Sequence, residues 1–136
     1  MTSDEPPFGD DIEVKVGADA AQLPVLRAIA SVVAMRQDLD LDAIADFKMA
    51  VDEAGSMLVL KAVGQTNLTC RFTPTKAEIK FAATALSESG EWPDAGSFGW
   101  HVLSTLADEV DASVTPATGG HLLRIEIVKR NGLGHE

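Results

Sequence analysis

A chain of 136 residues with 46% hydrophobic content and a mean hydropathy of +0.07 carries enough apolar material for one domain with a real core. No apolar run approaches the roughly 18 residues that a membrane-spanning helix needs. The opening MTSDEPPFGDD is acidic, unlike a basic secretory leader. A formal charge of −10, from 21 acidic and 11 basic residues, repels a phosphate backbone, so direct nucleic-acid binding is disfavoured, whereas a basic protein partner is suited. The same charge also serves plain solubility. A cytoplasmic protein is the expectation.

Cys70 is the single cysteine, which excludes an internal disulfide, and its place in an apolar strand marks it as a small buried hydrophobe. With only His101, His121 and His135 besides, no metal-binding spacing is present and no metal site is expected.

Residues 1–10 read as a disordered tail, 11–130 as one domain and 131–136 as a C-terminal tail. Ile12, Val14 and Val16 alternate with Glu13 and Lys15, the pattern of a half-exposed strand. Asp19 is placed to cap a first helix with Leu23, Leu26, Ile29, Ala30 and Val33 on its apolar side, Pro24 in its first turns and an end near Arg36.

Residues 39–63, LDLDAIADFKMAVDEAGSMLVLKAV, form one long amphipathic helix in this reading. At 100° per residue Ala43, Ile44, Phe47, Ala50, Val51, Ala54, Leu58 and Ala62 fall in one stripe, with Lys48, Asp52 and Ser56 elsewhere. Glu53 and Met57, four apart, stack at the flank of that stripe, where a half-buried side chain can still reach a pocket. Asp52 reads as a solvated neighbour.

Gly64 punctuates, and Asn67 to Thr73 and Glu78 to Leu86 read as a hairpin around Pro74-Thr75-Lys76. SESGEWPDAG, residues 87–96, is a surface loop in which Trp92 is a candidate contact. Ser97 is a good N-cap for a third helix carrying Phe98, Val102, Leu103, Leu106 and Val110 at helical spacing, with Trp100 packing and His101 on the polar side. Two last strands, near Ser113 to Pro116 and His121 to Lys129, flank Thr118-Gly119-Gly120. Helices on one face of a mainly antiparallel sheet make an α+β, two-layer sandwich.

Two stretches carry a resemblance. Ala50-Val51-Asp52-Glu53-Ala54 resembles the box of the RsbW-type anti-sigma factor serine kinases, within the GHKL ATPases, which read Glu-Ala-x-x-Asn. Further on, residues 96–110, GSFGWHVLSTLADEV, resemble the family's second glycine box and the helix ending in Leu-x-Asp-Glu-Val. The boxes lie about forty residues apart and in the family's order. Together with DLDLDAIADFKMAVDE they are similar to the actinobacterial branch, in which nucleotide motifs are often eroded.

The resemblance implies the Bergerat fold, a mixed, mainly antiparallel sheet with helices on one face, and makes residues 87–96 the ATP lid. It implies that Glu53 stands at the general-base position and Met57 at that of the magnesium-ligating asparagine. A thioether is a poor ligand for a hard cation that demands oxygen. The adenine-reading Asp-x-Gly-x-Gly has no counterpart between Lys80 and Gly96, where ALSESGE offers no aspartate and only Gly90. Gly96, Ser97 and Gly99 retain a degenerate second glycine box, able to turn backbone N–H groups toward an anion or to serve as an ordinary helix cap. Glu53 likewise reads as a base or as an inherited carboxylate in a structural hydrogen bond or salt bridge.

The implied function is an anti-sigma factor, homodimeric, that occludes an alternative sigma factor and is released by an anti-anti-sigma factor with a STAS domain. No cofactor is expected, with ATP and Mg²⁺ at most weakly held. The alternatives are an active ATP-dependent serine kinase that phosphorylates the antagonist, and a structural or sensory interaction domain without a sigma partner.

Overall fold

In the computed structural model, residues 11–76 and 78–130 are described; the tails expected at 1–10 and 131–136 lie outside them. Five strands, β1 (Ile12–Gly17), β2 (Asn67–Pro74), β3 (Glu78–Ser87), β4 (Glu109–Ala117) and β5 (Gly120–Arg130), form a sheet of order β1-β2-β3-β5-β4. Three helices, α1 (Leu23–Met35), α2 (Leu41–Lys61) and α3 (Phe98–Leu106), complete the domain. Every pairing is antiparallel, so the mixed sheet expected from the resemblance is corrected to a wholly antiparallel one among the described strands. Both helical hairpin partners α1 and α2 are inserted between β1 and β2, which nevertheless pair side by side.

Period-two alternation decides which face is covered. Leu68, Cys70 and Phe72 of β2, Ile79, Phe81, Ala83 and Ala85 of β3, and Leu123, Ile125 and Ile127 of β5 all point under the helices and are buried. Phe72 is the hinge of an aromatic trio, edge-on to Phe47 of α2 at 6.2 Å between ring centroids and tilted against Phe81 at 4.9 Å. On the opposite face Glu126 pairs with Arg124 and Lys80, and Arg71 with Asp11 and Glu13, an ion-pair layer that keeps this side wet.

The central helix is shorter at each end than 39–63. Asp40 caps it, its carboxylate accepting from the Ala43 N–H at 2.7 Å, and Leu39 and Ile44 take the two positions of a hydrophobic staple. Its buried face is Ala43, Phe47, Ala50, Val51, Ala54, Gly55 and Leu58, while Ile44 and Ala62 are half-buried at the stripe's ends. Gly55 belongs to this face because α1 crosses there: a β-carbon would lie 2.8 Å from Cδ2 of Leu23.

Further expectations are corrected. Asp19 caps a single 3₁₀ turn, Ala20–Gln22, and α1 starts after it with Pro24 in its first turn. The third helix stops at Leu106, and Val110 belongs to β4, which starts at Glu109 rather than near Ser113. There Lys129 donates to the terminal Leu106 carbonyl at 2.9 Å and to Asp46 of α2 at 3.3 Å, a cation at a helix C-terminus. Finally, Asp52 is not a bare solvated neighbour but pairs with Arg27 of α1 at 2.7 Å.

Candidate functional site at the seam between the second and third helices

Helix α2 presents Glu53, Met57 and Leu60 on one flank, since positions four and seven apart share a face. Both Glu53 and Met57 are half-buried. Helix α3 meets this flank end-on through Gly99. A β-carbon at position 99 would lie 2.6 Å from Oε2 of Glu53, 3.1 Å from Sδ of Met57 and 3.2 Å from its Cγ. The absence of a side chain there lets the start of α3 close on α2. The structure therefore brings together three of the site residues named from sequence, Glu53, Met57 and Gly99, from segments about forty residues apart.

Gly96 and Ser97 stand differently. Ser97 caps α3, its hydroxyl accepting from the Trp100 N–H at 3.1 Å. Asp94 then takes both preceding amides: the Gly96 N–H donates to its carboxylate at 3.1 Å and the Ser97 N–H to its carbonyl at 3.0 Å. Asp94, through its carboxylate and its backbone carbonyl, thus takes two N–H groups that would otherwise be offered to an external anion. Asp94 escaped the sequence reading, although an Asp two residues before a Gly is the signature of such a turn.

The loop of residues 88–96 starts beside the end of α2, where Ala62 bridges to Ser87 and the Val63 N–H donates to the Leu86 carbonyl at 2.8 Å. It is pinned on β5. The Trp92 indole N–H donates to the Arg124 carbonyl at 2.9 Å, and Gly90 lies over His121, whose ring carbon would meet a β-carbon at 2.9 Å. Trp92 is therefore packed against the core rather than displayed. Trp100 also packs on the core, and His101 is exposed. Phe98 departs from its expected apolar stripe and is 82% exposed.

Chemically, Glu53 makes no hydrogen bond or ion pair among the described residues, so the structural bond considered for it is not formed there. The donor set beside it is one carboxylate and one thioether, which does not suit magnesium. No group of three or more His, Cys, Asp or Glu among the described residues is arranged to hold a metal.

Two curated proteins named anti-sigma-F factor RsbW, from Mycobacterium tuberculosis strains CDC 1551 / Oshkosh and ATCC 25618 / H37Rv, are each 36% identical over 99 residues, 73% of this chain. The chain is a homologue of the RsbW anti-sigma factors. It spans 59% of the length of these relatives. No protein-family model matches it. Among solved structures, the histidine kinase domain of a blue-light activated histidine kinase from Erythrobacter litoralis EL346 superposes with a TM-score of 0.48 at 12% identity, covering 90% of this chain and 69% of that one. In this RsbW homologue, the two boxes singled out from sequence are the segments that meet at Gly99. No helix among the described residues is long and apolar enough to cross a membrane.

Proposed function

We propose that this RsbW homologue is a cytoplasmic anti-sigma factor that sequesters an alternative sigma factor by protein contact, with a nucleotide site that has lost its grip on Mg-ATP. The observation that carries the reading is the 36% identity over 73% of the chain to proteins named anti-sigma-F factor RsbW. Loss of nucleotide binding is supported by Met57 facing Gly99 beside Glu53, and by Asp94 holding the Gly96 and Ser97 amides. The mechanism is occlusion: the domain, as a homodimer, covers surfaces that the sigma factor needs for core RNA polymerase, and a STAS-domain antagonist competes for it.

Co-purification with candidate sigma factors followed by size-exclusion chromatography tests the reading. A stable complex with one sigma factor supports it, and no complex with any removes it. A second reading, an ATP-dependent kinase acting on the antagonist, draws on one observation, the half-buried Glu53 carboxylate left without a partner among the described residues. Titration with Mg-ATP by calorimetry separates the two, since a micromolar dissociation constant fits only the kinase.

A further inference from the structure

The most exposed large hydrophobic side chains among the described residues include Leu60, at 85%, and Phe98, at 82%. Both border the same place. Leu60 lies one turn beyond Met57 on the flank that carries Glu53, and Phe98 immediately precedes Gly99, which abuts Glu53 and Met57. Two apolar side chains this bare, bracketing a half-buried carboxylate with no partner, make a surface that is costly to leave in water and favourable to cover.

Charge says what covers it. The loop that begins beside the end of α2 and returns to Gly99 carries Glu88, Glu91 and Asp94 and no Lys or Arg, and Glu53 adds a fourth carboxylate. Against these, residues 53–61 of α2 contribute only Lys61. An acidic border around an apolar pair complements a cationic segment flanked by apolar side chains, because an arginine or lysine stem covers apolar surface while its head reaches a carboxylate.

We propose that the seam between α2 and α3 is a protein-docking site, in which Glu53 receives an Arg or Lys of the sigma partner and Phe98 and Leu60 are its apolar anchors. The inference rests on the anti-sigma reading and adds where the partner sits: on the surface that in the resembling kinases would serve nucleotide. Glu53 then owes its retention to partner recognition rather than to catalysis.

The test measures sigma-factor affinity of the full chain and of Phe98→Ser, Leu60→Gln and Glu53→Gln, with Val32→Gln on the outer face of α1 as control. The altered side chains are exposed or unpaired, so folding should persist, and circular dichroism checks it. Phe98→Ser and Leu60→Gln should each weaken binding by about tenfold or more, as interface anchors do. Glu53→Gln should weaken binding and flatten its salt dependence, a readout that a purely structural role would not move. Wild-type affinity in all three, with loss in Val32→Gln, would overturn the docking site and leave the anti-sigma reading intact. Absence of any wild-type complex would overturn both.

Discussion

Gly99 and Glu53 approach so closely that a β-carbon at position 99 would fall 2.6 Å from the Glu53 carboxylate, inside any real contact distance. Met57 closes the other side at 3.1 Å. Gly99→Val should therefore displace the Glu53 carboxylate and crowd Met57, costing about 1 kcal/mol in urea unfolding, the low end for overpacking because both neighbours are flexible side chains. Adding Glu53→Ala should recover part of the loss, since it removes the nearest clash. A Gly99→Val protein as stable as wild type would show that the seam is looser than described.

The hairpin between β4 and β5 makes a stricter demand. Gly120 sits at φ +148°, and a β-carbon there would lie 2.2 Å from the Ser87 carbonyl oxygen, a backbone atom that cannot swing aside. Gly120→Ala should destabilise the fold by about 3 kcal/mol, while Gly64→Ala, which meets nothing within 4 Å, should stay within about 0.5 kcal/mol. Parallel thermal melts of the two variants check the contrast.

Lys129 joins three elements by donating to the Leu106 carbonyl and to Asp46 while its side chain is only 14% exposed. Lys129→Met keeps most of the apolar stem but leaves the end of α3 and Asp46 unpaired. A loss of about 1.5–3 kcal/mol in chemical unfolding is expected, the range for hydrogen bonds to a charged group.

Burial pushes the Cys70 thiol up to about 12 from an ordinary 9.0. A thiol whose folded pKa exceeds its unfolded value adds stability in full below pH 9 and loses it as pH rises toward 12. Stability should thus decline across that alkaline window, and Cys70→Ala should remove this component of the decline. Alkylation by iodoacetamide at neutral pH should be slow in the native protein and fast in denaturant.

Much of this architecture was legible in the residues. Alternation at Ile12, Val14 and Val16, the stripe from Ala43 to Leu58 and the cap at Ser97 each express a local preference that packing then reinforced. Glu53 and Gly99 could be named because their types matched ordered boxes, and Met57 because it stands where the first box calls for asparagine. Other features depended on what lies across the fold. Nothing local distinguishes Val110 in a strand from Val110 ending a helix, and the pairing of Glu109 and Val110 with Val128 and Ile127 decides it. The partner of Asp52 comes from α1, 25 residues earlier. Phe98 looks like core by type, yet at the first position of α3 it points away from it.

The central claim is that partner binding persists without nucleotide chemistry. The most direct measurement is the dissociation constant of the full chain for its sigma factor, taken once in nucleotide-free buffer with EDTA and once with saturating Mg-ATP. The account predicts a complex in both, with equal affinity to within about twofold, a difference well under 1 kcal/mol. A complex that forms only with Mg-ATP would contradict it.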